Sequence, residues 1–193
     1  MQSFFQDYFR SIINETIDTN ICDIETLTED IIITHLNGGT IWICGNGGSM
    51  CSAQHFAEDC VKCIREKSHN SVKCMAIGSN NGYMTCISND LGYDKVFTYE
   101  LETFADFSKD LVIGLSVSGN SKNVLNALEL ASNRGGKTAS ITGFNGDNKI
   151  ARMSRTSIKI NSRHFGIVED MTMMYLHAIA YCLMNDKYWP TQR

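Results

Sequence analysis

The sequence predicts an α/β fold, a three-layer sandwich in which a central parallel five-stranded sheet is flanked by helices, preceded by N-terminal helices. Two observations predict it. Short β-branched runs alternate with helical stretches along the chain, and the links between them are short and often contain glycine. From Met1 to about Asn37 the apolar residues fall at helical spacing, with Phe4, Phe5, Tyr8, Phe9, Ile12 and Ile13, then Ile24, Leu27, Ile31 and Ile32. This reads as two helices broken near Asn20 to Asp23. Thr40 to Cys44 follows Gly38-Gly39 and runs into Gly45-Asn-Gly-Gly-Ser49, the pattern of a buried strand entering a tight loop. A helix from about Ser49 to Glu66, a strand at Val72 to Ile77, and helical stretches at 81–88 and 94–106 come next. Then follow a strand at Leu111 to Leu115, a helix from Ser121 to Arg134, a strand at Thr138 to Ile141, a short helix near Asn148 to Met153 and a strand at Thr156 to Ile160. A long final helix covers about Val168 to Met184. The reading is a single domain over 1–193, with N-terminal helices at 1–37, the α/β core at 38–187 and a tail at 188–193. The only proline is Pro190, and the segment after Lys187 is the one expected to fray.

With 193 residues, 43% of them hydrophobic, the chain is long enough to bury a core. Its net charge is −4 and its 17 Lys and Arg are scattered, which argues against a nucleic-acid or anionic-membrane footprint. No apolar run reaches the ~20 residues that cross a bilayer. With no signal-peptide pattern, the expectation is a soluble, cytoplasmic protein. The eight cysteines sit in apolar or helical runs and are read as reduced, mostly buried thiols. The one C-x-x-C, Cys60 to Cys63, has no second pair with which to build a structural zinc site.

In a parallel sheet, ligands collect at the carboxyl ends of the strands, where helix N-termini offer free N–H groups. Two loops hold that position. Ser116-Val-Ser-Gly-Asn-Ser121 supplies three hydroxyls and a glycine ahead of a helix, and Gly45-Asn-Gly-Gly-Ser49 places glycines and a serine between strand and helix. Ser118, Asn120 and Ser121 would serve equally well as N-caps. Neither loop has the lysine of a P-loop or the G-x-G-x-x-G spacing, which favours a phosphorylated metabolite over a nucleotide. The following helix carries His55 and Asp59 at i and i+4, on one face, able to share a metal ion or to act as base and orienting partner. On the last helix Glu169 and His177 are eight residues apart, a rise of roughly 12 Å. There His177 reads equally as an ordinary core histidine among Met173, Met174, Tyr175 and Leu176.

Gly45-Asn-Gly-Gly-Ser49 with Ala53-Gln-His-Phe-Ala57, together with Ser116-Val-Ser-Gly-Asn-Ser121, resembles the sugar isomerase (SIS) fold, and within it the phosphoheptose isomerase family. The similarity continues through Ser88-Asn-Asp-Leu-Gly92, Thr142-Gly143 and His164-Phe-Gly166 into the final helix. The resemblance implies an aldose–ketose isomerase acting on sedoheptulose 7-phosphate, feeding heptose into lipopolysaccharide or capsule. It also implies one zinc ion per subunit and a homotetramer with sites near subunit contacts, for which the aromatic first helix is a plausible surface.

Carried over by motif, His55 matches the family's zinc histidine and Asp59 falls where the family has its catalytic glutamate. Glu169 falls at the family's glutamine and His177 at its catalytic histidine, so the implied zinc set is His55, Asp59, Glu169 and His177. Aligning Val168-Glu-Asp170 with the family's Ile-Gln-Glu step shortens the preceding loop by three residues. An ungapped alignment would instead put Thr172 and Ala180 at these two positions. Asp59 and His177 are the implied catalytic pair. Asn46, Gly47, Ser49, Asp90, Ser116, Val117, Ser118, Ser121 and Glu169 are the implied substrate-binding residues. The cation that the family carries after its glutamate has Lys62, Cys63 and Arg65 as candidates here. A second reading is a catalytically silent SIS protein that binds a sugar phosphate or a partner such as a replication initiator. A third is an isomerase of another phosphosugar, such as arabinose 5-phosphate.

Overall fold

The structure is a computed structural model that describes residues 1–143 and 148–190. Five strands, β1 (Ile41–Cys44), β2 (Cys74–Ala76), β3 (Leu111–Ser116), β4 (Lys137–Thr142) and β5 (Thr156–Lys159), form one sheet in the order β2-β1-β3-β4-β5. Every pairing is parallel; Ile41 faces Cys74 on one side and Leu111 on the other. The alternation of side chains along each strand explains the three layers. Ile41, Ile43, Leu111, Ile113, Leu115 and Ile141 point to one face, and Trp42, Cys44 and Val112 to the other.

The first face is covered by α2 (Ile21–Leu36), α3 (Gly48–Glu58) and α9 (Phe165–Leu183), which bury Leu27, Ile31, Phe56, Met171, Leu176 and Ile179 there. The second face is covered by α6 (Val96–Phe104), α7 (Lys122–Asn133) and α8 (Lys149–Met153), through Phe97, Leu101, Val124, Leu128 and Ile150. Among the described residues no helix is long and apolar enough to cross a membrane.

The break between α1 (Gln2–Ile17) and α2 is set by Asn20, whose side chain accepts the Cys22 N–H and so caps α2. The start of the sheet is fixed by Asp110, a carboxylate 3% exposed. It accepts Thr40 N–H at 2.8 Å, Trp42 Nε1–H at 2.7 Å and Asp106 N–H at 2.8 Å.

Three expectations fail. The helix after the glycine loop is not uniform: α3 passes into a π-helical turn, Asp59–Ile64, before the short α4 (Arg65–Ser68). The chain does not fray directly after Lys187, because Trp189 is buried, donates its indole N–H to Leu183 O at 2.8 Å and meets the His35 ring edge-on at 5.1 Å. The cysteines are free but not mostly buried. Cys44, Cys60 and Cys74 are, whereas Cys22, Cys51 and Cys86 lie on outward helix faces and Cys63 and Cys182 are half-buried.

Candidate active site

The strand order reverses between β1 and β3. From β1 the chain crosses to β2 on one side, and from β3 it crosses to β4 on the other, so the loops that leave these two strands part and open a crevice. A cavity of about 180 Å³ lies there, lined by Asn46, Ser49, Ser116, Ser118, Ser121 and Glu169 among others, with Leu115 and Val117 as its apolar part. The N-termini of α3 and α7 both end beside it, and their first N–H groups and dipoles favour an anion.

Local chemistry shapes both loops. Gly47 takes φ of +54°, the left-handed turn that leads into α3. Gly119, at φ +65°, has no room for a side chain, since a Cβ would stand 1.9 Å from Asn148 Cγ. Ser116 Oγ accepts the Gly119 N–H at 3.1 Å and lies 3.1 Å from Ser121 Oγ, and Ser118 Oγ accepts the Asn120 N–H at 3.3 Å. The serines therefore brace the loop while facing the cavity.

A second group lies outside the cavity lining, where α9 packs on α3 and the π turn. His55, buried Asp59 and half-buried His177 bring one ligand atom each within 4.8 Å of one another. His55 Nε2 is 3.2 Å from His177 Nε2 and 3.7 Å from Asp59 Oδ2. With both rings protonated on Nδ1, both Nε2 lone pairs are free for a cation. Zinc bonds of ~2.0–2.1 Å hold tetrahedral ligand atoms roughly 3.4 Å apart, so these spacings fit one ion. The Cys63 thiol pKa is raised, first by desolvation and then by its hydrogen bond to Asp59.

His177, rather than Ala180, meets His55; Ala180 is fully buried, and the buried Thr172 hydroxyl is used by Val168 O at 2.7 Å. Glu169 lies apart from the three metal-competent residues. Its carboxylate packs against Gly48 and lines the serine cavity, so the roughly 12 Å rise to His177 is not closed by the side chains.

Asp90 is exposed, accepts from Asn89 Nδ2 at 2.7 Å and does not line the cavity. Lys62, Cys63 and Arg65 do not line it either; Lys62 Nζ is 3.8 Å from Glu66 Oε2. Two residues escaped the sequence reading, Asn123 and Tyr93, both hydrogen-bonded to Asn46. The signal available for Asn123 was its place in the first turn after the serine loop.

The family model for the SIS domain matches residues 4–143. The chain is 37% identical to the probable phosphoheptose isomerase of Thermoplasma volcanium over 90% of this chain and 85% of that one. It is 36% identical to the phosphoheptose isomerase of Vibrio cholerae, covering 91% of this chain and 93% of that one. The structure superposes on phosphoheptose isomerase GmhA from Neisseria gonorrhoeae with a TM-score of 0.83 and 26% identity, over 94% of this chain and 97% of that one. The crevice at the strand-order reversal, lined by a serine loop, is thus that of a SIS-domain protein. Within that class the chain belongs to the phosphoheptose isomerase family.

Proposed function

We propose that the protein interconverts D-sedoheptulose 7-phosphate and D-glycero-D-manno-heptose 7-phosphate, in heptose synthesis for surface polysaccharide. The observation that carries this reading is the convergence of His55, Asp59 and His177, from α3, the π turn and α9, next to a serine-lined cavity. A catalytically silent SIS protein has no need of that acid–histidine set. The phosphate goes to Ser49, Ser116, Ser118 and Ser121, whose hydroxyls and neighbouring N–H groups donate to its oxygens. The sugar then runs along α9 toward His177, past Asn46, Val117 and Glu169 in the cavity wall, while Gly47 and Asp90, outside that wall, are assigned to its contacts on the family resemblance alone.

Isomerisation moves a proton between C1 and C2 through an enediol or enediolate. Asp59 takes the carbon proton as general base and, after exchange of that proton with solvent, delivers one to the neighbouring carbon, while His177 transfers the proton between the two oxygens. The short reach of Asp59 and its burial restrict its oxygens to one small region beside both imidazoles. His55, Asp59 and His177 would hold a zinc ion, while Glu169, the fourth ligand that the resemblance implies, faces the serine cavity instead. Bound there, zinc supplies charge stabilisation for the developing oxyanion. We further assign the protein to the cytoplasm as a single-domain homotetramer, supported by the exposed Phe4, Phe5, Phe9 and Ile13 on α1.

Proton NMR of sedoheptulose 7-phosphate with the protein and zinc in heavy water tests the reading. Aldoheptose phosphate carrying deuterium at C2 is expected, and its loss on chelation supports the metal. No product from this substrate overturns the assignment.

A further inference from the structure

Asn46 lines the cavity, and its side-chain amide is held by two residues that do not. Its Oδ1 accepts from Asn123 Nδ2 at 2.9 Å and from the Tyr93 hydroxyl at 2.7 Å, and its Nδ2 donates to Asn123 Oδ1 at 3.0 Å. Asn123, in the first turn of α7, is 3% exposed, and its Oδ1 also accepts the Val124 backbone N–H at 3.0 Å.

The orientation of the whole set follows from that last contact. A main-chain N–H can only donate, so Val124 determines which end of the Asn123 amide is oxygen. The reciprocal pair then dictates the Asn46 amide: turned over, it would set NH₂ against NH₂ and oxygen against oxygen. Tyr93 donates to the same Asn46 oxygen. Both lone pairs of Asn46 Oδ1 and one of its two N–H groups are therefore engaged. One N–H donor is what remains for a ligand.

We propose that Asn123 and Tyr93 are positioning residues that hold Asn46 as a single N–H donor, so that this wall of the cavity selects a substrate oxygen acting as acceptor. Tyr93 also stands just after α5 (Asn81–Leu91), which carries Asp90, so one half-buried amide, that of Asn46, ties three segments together: the β1–α3 loop, the α5–α6 link and the start of α7. The inference rests on the reading of this cavity as the phosphosugar site.

A double-mutant cycle tests it, with Asn46→Ala, Asn123→Ala and the pair, read by KM, kcat and thermal midpoint on the full chain. Loss of one oriented hydrogen bond predicts a rise in KM of about 10-fold for either single variant, with kcat changing less. The signature is non-additivity: Asn123→Ala adds nothing once Asn46 is alanine. Tyr93→Phe, at a half-exposed position, should give a smaller rise that also vanishes in the Asn46→Ala background, and it serves if Asn123→Ala does not fold.

A second full increment in the double variant overturns the proposal, as does an unchanged KM in Asn123→Ala and Tyr93→Phe. If the wild type does not turn over sedoheptulose 7-phosphate, the isomerase reading has failed. The same cycle is then read by titration with sedoheptulose 7-phosphate as a ligand, whose sugar oxygens are what the Asn46 donor would select. Non-additive weakening upholds the positioning role, and additive weakening, unaltered binding or no binding overturns it.

Discussion

Gly48→Ala separates the stability of the fold from the placement of Glu169. A Cβ built on Gly48 would stand 2.6 Å from Glu169 Oε1 and 2.7 Å from its Cδ, whereas ordinary contact begins at 3.4 Å. The carboxylate must therefore retreat by about 0.8 Å, which a flexible side-chain end can do without moving α9. Gly48 opens α3 with no positive φ, so alanine fits its backbone and restricts the unfolded chain, raising stability by roughly 0.4–1 kcal/mol. Displacement of a positioned group by nearly 1 Å costs up to ~100-fold in rate. The expected outcome is an unfolding midpoint equal to or above the wild type, with kcat/KM for sedoheptulose 7-phosphate lowered by about 10- to 100-fold. Adding Gly48→Ala to Glu169→Ala should cost nothing more, because nothing is left to displace. Wild-type kcat/KM in a folded Gly48→Ala protein would refute the reasoning; a lower midpoint would show that the backbone, not the carboxylate, gave way.

Three further predictions concern the frame that carries the site. Tyr8 donates to Asp170 Oδ2 at 2.5 Å, chiefly for that reason its pKa rises from 10.0 to about 12, and its stabilising effect is complete below pH 10 and lost as pH climbs toward 12. Tyr8→Phe should flatten that loss, measured as the change in urea midpoint between about pH 9 and about pH 11; an identical change in both proteins sinks the idea. Asp110→Asn leaves at least one of three donors facing an NH₂ group in a buried place, so urea unfolding should show a loss of about 2 kcal/mol, and a neutral result would contradict the network. Trp189→Ala should cost about 3 kcal/mol in the same assay, while a change under roughly 0.5 kcal/mol would return the segment to the frayed tail the sequence suggested.

What the sequence made legible was local. Ile41 to Cys44 and Leu111 to Leu115 read as buried strands because every residue in them is apolar and a glycine-rich or serine-rich turn follows. The serine loop and the His55–Asp59 pair each lie within a few residues of chain, so their spacing already carries their geometry. The π turn at Asp59–Ile64 was illegible, since it changes the hydrogen-bonding partner of each N–H without demanding any residue type. Trp189 was missed because the His35 ring it packs against comes from the far end of the sequence. Asn123 and Tyr93 were missed for the same reason: they meet Asn46 across 77 and 47 positions of sequence. The spacing of Glu169 and His177 left convergence of two long side chains open, but eight helical residues put the carboxylate beside the serines and the imidazole beside Asp59.

On the proposed function, the electrostatics of the cavity account for phosphate binding by an acidic chain and for the direction in which the substrate would lie. No lysine or arginine lines it among the described residues; Lys122, next to Ser121, reaches Asp94 at 3.8 Å instead. Positive potential comes from the N-termini of α3 and α7, each worth roughly half a charge, and from hydroxyl and main-chain donors fixed by the loops. Exposed charges elsewhere on the chain are screened over about 8–10 Å, so the overall charge of −4 does not cancel that local potential. Glu169 then breaks the symmetry of the cavity. A carboxylate only accepts hydrogen bonds, so it repels a phosphate and welcomes a sugar hydroxyl. On the proposed function, the phosphate would lie on the Ser118 and Ser121 side and the hydroxylated chain would cross Glu169 and follow α9. That orientation would bring its reacting carbons toward His55, Asp59 and His177, two turns further on.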